Sequence, residues 1–418
     1  MFKNYICGVD IGSSKISAVL AKFDRKRISG LYFGTVDSRG VKAGAVVDSI
    51  ELTGCIERLL KKLKADSGVK IKVVYSNISG HDLIVKHSRA ILPLAERGNK
   101  VITLSDIYKV NDMARILGSS LEEEVIHQMP YGYAIDSKSD ILNPLGLYSH
   151  RLETDLLLIS ARMSCVQSVI RVINQAGYEI KDLFFSGLAT AKAVLGKNSG
   201  EGISAVCDIG SDVTELLIFH GNLLKAIEIL PQGGDDLTHE IAETLKIPFE
   251  LAEEVKKSHS SIGDSSLIDE NKEILIKKNN IYKPIKQRAV SEMVTSRAKQ
   301  LCQNIRAAIE KTVPVDNLDN FIVTGRAVLL DGLMEALENN LGVTVKLGRA
   351  SNPGIAPLVN SYDALAGQKY LVYLTCLGII CQVIQADDPY LLSSNHQPSP
   401  NKLVRLLDRA KEVYQEYF

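Results

Sequence analysis

The chain has 418 residues, 45% of them hydrophobic, which is enough for two or more domains with substantial cores. Lysine plus arginine equals aspartate plus glutamate at 49 each, and no basic run is interleaved with aromatics, so a nucleic-acid partner is disfavoured. The seven cysteines (Cys7, Cys55, Cys165, Cys207, Cys302, Cys376, Cys381) are scattered among apolar neighbours and read as buried reduced thiols, while the eight histidines form no ligand pair, His127 and His239 reading as structural or surface residues.

Met1 to Asn4 leads straight into an apolar run without a leader-like segment, which points to a cytosolic chain. Residues 6–20 then read as a β-hairpin whose turn is Asp10-Ile11-Gly12-Ser13-Ser14-Lys15. Gly12 is expected to take a positive φ and bring backbone close to an anion. Ser13, Ser14 and Lys15 supply donors and a cation for phosphate oxygens, and Asp10 at the strand end suits a magnesium ion held through water. Gly-Ser turns are common and most bind nothing. What gives this one weight is its echo at Asp208-Ile209-Gly210-Ser211-Asp212, inside a second apolar hairpin over 205–219, because two such hairpins imply a duplicated fold.

Between the two hairpins, a third strand is expected at 28–36, a helix over 46–65 with Ile50, Leu52, Cys55, Ile56, Leu59, Leu60 and Leu63 on one side, and a strand over 69–78. The texture changes from 81 to 154, where strands near 82–88 and 90–94, a helix over 105–117 capped by Ser105, and a hairpin-like pair at 125–130 and 131–136 suggest an inserted α+β subdomain. Alternation resumes with a buried strand at 156–161, a helix over 165–175, a strand at 183–188 feeding a short helix over 189–195, and a loop at 196–200.

After the second hairpin come a strand at 224–230 and helices over 235–245 and 249–257. Gly233 and Gly234 precede the first of these helices, whose free N-terminal amides are expected to make a second anion-friendly site. A long amphipathic helix lies within 280–314, followed by a strand at 321–325, a helix over 329–339 and a strand at 343–347. The apolar stretch 370–384 is shorter than the roughly 20 residues a bilayer crossing needs and reads as a core helix.

Residues 386–400 have the Pro/Ser-rich composition of a flexible linker. Beyond them, Leu403, Leu406, Leu407, Ala410, Val413, Tyr414, Tyr417 and Phe418 occupy one helical arc of about 140°, with the charged residues opposite. With no obvious core to join, such a helix suits a membrane surface, or docking on its own body or another protein. Its four basic against three acidic side chains leave the apolar face to supply the affinity, so display of many copies through self-association would make it effective.

The two Asp-x-Gly hairpins, the Gly-ended strand near 325 and the helical inserts together resemble the actin-like ATPase superfamily. Within it, the FtsA family of bacterial cell-division proteins is resembled over essentially the whole chain. The matching stretches are 10–16, Asn77-Ile78-Ser79-Gly80, Asn143-Pro144-Leu145-Gly146 with Arg151-Leu152-Glu153, 231–252 and the tail. The resemblance implies a two-lobed α/β fold of duplicated ribonuclease H-like domains. One core subdomain would comprise 1–80 and 155–198 and carry the 81–154 insert; the other would comprise 199–234 and 305–385 and carry a helical subdomain at 235–304.

It also implies ATP or ADP with magnesium. Asp10, Gly12, Ser13, Ser14 and Lys15 would hold phosphates and metal, Asp208 and Gly210 would face them, Gly233, Gly234 and Gly325 would lie near the nucleotide, and Glu253 and Lys256, three apart on one helix face, would point to ribose and base. Three departures from the family pattern bear on turnover: Ser211-Asp212-Val213 with Glu215 in the second hairpin, Arg326 after Gly325, and Ser186 where the family places a glutamine that orients attacking water. Binding is therefore expected more than hydrolysis.

The function implied is that of a filament-forming adaptor at the cytoplasmic face of the inner membrane, at the division septum. It would tie FtsZ filaments there and meet other division proteins, with the FtsZ C-terminal peptide on 235–304 and Arg288, Arg297 and Lys299 as contacts. The alternatives are a PilM-like pilus-assembly scaffold, which needs no terminal amphipathic helix, and a small-molecule kinase, which needs a carboxylate base that the sequence does not identify.

Overall fold

The computed structural model describes residues 5–24, 27–95, 98–136, 138–195, 202–264, 272–278, 281–351, 355–359 and 361–386. The loop expected at 196–200, the linker expected beyond Ala386 and the helix expected over 401–418, with the residues expected to face a membrane, lie outside them.

The chain opens with β1 (Tyr5–Ile11), β2 (Lys15–Asp24) and β3 (Arg27–Asp37), an antiparallel meander. Two short strands, β4 (Val41–Lys42) and β5 (Ala45–Val46), form a small hairpin before α1 (Ser49–Ser67). That helix starts three residues later than expected because the Asp48 carboxylate accepts the backbone N–H groups of Ile50 and Glu51, an N-cap that satisfies two otherwise orphaned donors. Of its expected apolar stripe, Leu52, Cys55, Ile56, Leu59, Leu60 and Leu63 are fully buried, but Ile50, in the first turn, is 83% exposed. The strand expected over 69–78 is shorter, β6 (Val73–Ile78), which runs parallel to β1.

The inserted region holds β7 (Leu83–Pro93), β8 (Lys100–Val101), α2 (Leu104–Gly118), β9 (Glu123–Ile135), β10 (Lys138–Ile141), β11 (Tyr148–Ser149) and β12 (Arg151–Arg162). Two expected pairs of short strands are single long ones. β7 pairs with β12 without interruption across eleven positions, and β9 passes through Pro130 because a bulge there sets Asp155 opposite Gly132 and Leu156 opposite Pro130. The cap of α2 is Thr103, not Ser105, in a reciprocal capping box with Asp106. The sheet, ordered β10-β9-β12-β7, and α2 enclose a core of their own that includes Val110, Ala114, Tyr133 and Leu158.

Helix α3 (Met163–Gln175), β13 (Glu179–Phe185) and α4 (Ser186–Val194) return the chain to the first sheet, ordered β13-β6-β1-β2-β3. The pattern then repeats. β14 (Ile203–Ile209), β15 (Thr214–His220) and β16 (Leu223–Leu230) form a second antiparallel meander. After α5 (Gly234–Leu245), α6 (Phe249–His259), a hairpin of β17 (Glu273–Lys278) and β18 (Ile281–Lys286), and α7 (Gln287–Glu310), strand β19 (Asn320–Thr324) joins β14 in parallel. The β17–β18 hairpin takes the first residues of the stretch expected to hold the long helix.

A 3₁₀ turn at Ala327–Leu329 and α8 (Leu333–Leu341) replace the single helix expected over 329–339, and β20 (Val345–Leu347) completes a sheet ordered β16-β15-β14-β19-β20. In each sheet a meander's first strand pairs in parallel with a fourth strand, which pairs in parallel with a fifth. The duplication expected from two Asp-Ile-Gly-Ser turns is therefore a duplication of whole sheets. After the short α9 (Ala356–Val359), α10 (Leu374–Ala386) ends the described chain, preceded by a 3₁₀ turn over Lys369–Tyr373 where helix had been expected. Among the described residues no helix is long and apolar enough to cross a membrane.

Candidate functional site

The first strands of the two meanders end at one cleft, of about 410 Å³. Its opposite walls are the turns that follow β1 and β14, and the two turns close alike: the Gly12 N–H donates to the Lys15 carbonyl at 3.0 Å, and the Gly210 N–H donates to the Val213 carbonyl at 3.0 Å. Gly12 does not adopt the positive φ expected of it. A Cβ on Gly12 would stand a tight 3.1 Å from the Lys15 carbonyl oxygen, and one on Gly210 would stand 2.9 Å from that of Val213, too close without a backbone shift.

Asp10 and Asp208, at the ends of the paired strands, both line the cleft. Asp10 accepts from Asn77 Nδ2 at 2.9 Å and lies 3.6 Å from Lys15 Nζ. Burial raises its carboxyl above the ordinary range, and Lys15 only partly opposes that. Asp208 accepts from Thr190 Oγ1 at 3.2 Å and is raised by burial and then by the charge of Asp10. Two buried carboxyls, both raised by burial and one of them also by the other's charge, suit a shared divalent cation, which would relieve both. Among the described residues no three His, Cys, Asp or Glu side chains gather as a metal cage, so such a cation would take its other ligands from water or phosphate.

Of the remaining residues expected to hold nucleotide, Ser13, Ser14 and Lys15 line the first wall, and Gly234, Glu253, Lys256 and Gly325 line the second. Gly233 does not. Lys15 Nζ donates to the Val372 carbonyl at 2.5 Å, so in this conformation it is anchored to the backbone just before α10. The α5 N-terminus corrects an expectation, because its first amides are already taken. Gly233 N–H donates to Asp236 Oδ2, Gly234 N–H to the Gly210 carbonyl and Asp235 N–H to the Ser211 carbonyl, at 2.7, 2.9 and 2.8 Å. The helix end thereby braces the second turn instead of presenting free donors.

Glu253 and Lys256 form an ion pair of 2.6 Å, and Lys256 Nζ also donates to the Gly234 carbonyl at 2.7 Å and Thr238 Oγ1 at 2.6 Å. Burial acts to raise the Glu253 carboxyl, but Lys256, Thr238 and Lys257 outweigh it and hold the group down at about 2. Gly325 has φ +87°, and a Cβ on it would stand 2.2 Å from the Ile209 carbonyl oxygen, so the end of β19 can abut β14 only as glycine. Arg326 is exposed on the cleft wall, and Ser186 is buried in it.

Two cleft residues carry more than sequence reasoning assigned to them. Asn77 donates to Asp10 and to Ser186 Oγ at 2.8 Å and accepts the Ile11 N–H at 2.6 Å, so it sets the Asp10 rotamer. Glu215, buried on β15, accepts from Ser79 Oγ at 2.5 Å. Asn77 and Ser79 stood in a matching motif, but their partners are far away in sequence. Along α7, Arg288 pairs with Glu292 at 3.0 Å, Arg297, half-buried, pairs with Glu240 of α5 at 3.2 Å, and Lys299 is exposed, so Arg297 does not share a face with the other two.

Comparison with known proteins gives two family matches: residues 205–362 match cell division protein FtsA, and residues 80–160 match the SHS2 domain inserted in FtsA. Cell division protein FtsA of Pseudomonas aeruginosa is 25% identical over 372 residues, covering 88% of each chain. That of Escherichia coli K12 is 23% identical over 388 residues, covering 90% of each. Among solved structures, a chain of the PilM–PilN type IV pilus biogenesis complex superposes with TM-score 0.64 at 17% identity, over 91% of this chain and 98% of that one. MreB5 of Spiroplasma citri bound to ADP gives 0.53 at 10% identity, over 92% and 98%. The MamK double helical filament gives 0.52 at 10% identity, over 91% and 99%. At these identities the superpositions speak for the fold alone.

Proposed function

Since this chain belongs to the FtsA family of actin-like cell-division proteins, we propose that it forms filaments on the cytoplasmic face of the inner membrane at the division septum and anchors FtsZ filaments there. The observation that carries the nucleotide part of this reading is the facing pair of Gly12 and Gly210 turns with Asp10 and Asp208 between them.

ATP or ADP with magnesium fits this cleft. Asp10 and Asp208 would hold the cation through water, the Ser13–Ser14 turn and Gly210 would meet phosphates, and Gly234, Glu253, Lys256 and Gly325 would flank the nucleoside. When bound, the nucleotide supplies charge and bulk that bridge the lobes. Asn77 keeps Asp10 aimed into the cleft, and Ser186, whose Oγ donates to the Ile78 carbonyl at 3.2 Å, offers no carboxamide to orient water. Binding with little turnover follows.

Anchoring is assigned to residues 401–418, self-association makes many such tails act together, and the FtsZ C-terminal peptide is assigned to 235–304 with Arg288, Arg297 and Lys299. The MamK filament has the same fold, which supports self-association. A second reading, a PilM-like pilus scaffold, is favoured by the superposition on the PilM–PilN complex, whereas the family matches favour the first. Liposome co-flotation separates them: the full chain is expected to float and to carry FtsZ with it, and removal of 401–418 to abolish both. Flotation unchanged by the truncation overturns the anchoring role, and a full chain that neither floats nor carries FtsZ favours the scaffold.

A further inference from the structure

The β4–β5 hairpin turns through Ala43 and Gly44, both at positive φ, 48° and 80°, the geometry of a two-residue type I′ turn. The turn lies at the cleft mouth and touches both of the facing loops. The Gly44 N–H donates to Ser13 Oγ of the first loop at 3.4 Å, and the Ala43 N–H donates to Asp212 Oδ2 of the second at 2.7 Å. Beneath it the hairpin presses on the turn after β6: a Cβ on Gly44 would stand 2.5 Å from the Ser79 carbonyl oxygen, and one on Gly80 2.4 Å from that of Ala43. A pair of backbone amides aimed at the space between two phosphate-sized turns is the kind of donor that meets an anion. Here a carboxylate of the chain already occupies the first of them.

From this arrangement we propose that Asp212 stands in for the terminal phosphate of a nucleotide and makes the cleft select a nucleoside diphosphate over a triphosphate. The inference rests on the nucleotide reading of the cleft given above. Charge points the same way. Asp208 and Asp235 line the cleft with Asp212, and the Asp235 carboxyl is pushed up to about 6 by burial and then by Asp212, so the field of Asp212 reaches inward. The cations are already engaged: Lys15 with Asp10, Lys256 and Lys257 with Glu253. Arg326 is exposed at the end of β19. A third phosphate would bring further negative charge against Asp212 and would have to displace it from Ala43.

Calorimetric titration of the full chain with ADP and with the non-hydrolysable triphosphate AMPPNP, each with magnesium, tests this. Wild type is expected to bind ADP at least about tenfold more tightly, as one added like charge at cleft distances would impose. Asp212→Gly is expected to bring the two within about threefold of each other through the same term. Asp212→Asn, which keeps an acceptor for the Ala43 amide and drops the charge, guards against a folding artefact and is expected to lose most of the preference. Wild type binding both equally, or a preference that both variants retain, overturns the proposal while leaving the nucleotide reading standing. Absence of saturable binding by either nucleotide to wild type and to the variants removes that reading, and this inference with it.

Discussion

Ser79 Oγ donates to Glu215 Oε1 at 2.5 Å, joining the turn after β6 to a strand of the other lobe. Burial pushes the Glu215 carboxyl up to about 8, a shift that this hydrogen bond only partly offsets. The folded protein therefore holds a proton that the unfolded chain, with the ordinary value of 4.5, releases. Stability contributed in this way is complete below 4.5 and is lost as the pH rises through 8. Asp235, pushed up to about 6, adds a loss of the same sign at lower pH.

Thermal unfolding is accordingly expected to show a melting temperature that falls from pH 5 to pH 8 and levels above it. Glu215→Gln should flatten the upper part of that slope and raise the melting temperature at pH 8. An unchanged slope in the variant would assign the proton to another group.

Lys256 is expected to be structural as well as nucleotide-facing. Its ammonium neutralises Glu253 and ties the start of α5 to α6 through the Gly234 carbonyl. Replacing it with methionine leaves the half-buried Glu253 carboxylate with Lys257 as its one cation and the Thr238 hydroxyl as a neutral donor, and should cost about 2–3 kcal/mol, the range for lost hydrogen bonds to a charged group. A double-mutant cycle with Glu253→Gln, read by urea unfolding, checks the coupling. Additive effects of the two changes would count against it.

In the inserted subdomain, Thr103→Ala should destabilise by about 1 kcal/mol and Ser105→Ala by almost nothing. Thr103 Oγ1 accepts from Asp106 N–H at 3.3 Å while Asp106 Oδ2 accepts from Thr103 N–H at 3.0 Å. Sequence inspection favoured Ser105, a good capping residue, because the reciprocal partner Asp106 lies one position from it and the spacing that matters runs from Thr103. Chemical denaturation of the two variants decides between the caps.

The same contrast separates the legible from the illegible elsewhere. α1 was readable because its burial follows the 3.6-residue period of the chain itself, and the two Asp-x-Gly hairpins because apolar runs, buried almost continuously along β1, β2, β14 and β15, flank each turn. β9 was not, since a proline inside a run signals a break unless a bulge, set by the register of β12, accommodates it. At the site, the residues lining the cleft were largely nameable from motifs, but their partners were not. Asp212 meets Ala43, Glu215 meets Ser79 and Lys15 meets Val372 across 169, 136 and 357 positions. Contacts of that kind are set by how the lobes pack. For the same reason the α5 amides looked free in sequence and are occupied in the fold by carbonyls of the 210–213 turn.

Two glycines on helices predict opposite outcomes for one substitution. Gly378 of α10 faces α4 so closely that a Cβ would stand 1.8 Å from the Ala189 carbonyl oxygen, a backbone atom that cannot swing aside. Gly54 of α1 meets nothing nearer than the end of Arg58 at 3.8 Å. Gly54→Ala should therefore stabilise by about 0.5–1 kcal/mol through helix propensity, whereas Gly378→Ala should destabilise by about 3 kcal/mol or more through overpacking. The second change reaches the site. Thr190 on α4 and Thr375 on α10 are hydrogen-bonded at 3.1 Å, and Thr190 also donates to Asp208. Helices forced apart at Gly378 move the hydroxyl that holds Asp208, so magnesium-dependent nucleotide binding should weaken in Gly378→Ala under conditions where the variant remains folded. Calorimetric titration of both variants, alongside thermal melts, checks the pair. A Gly378→Ala protein that is stable and binds normally would mean that α10 and α4 can separate without disturbing the cleft.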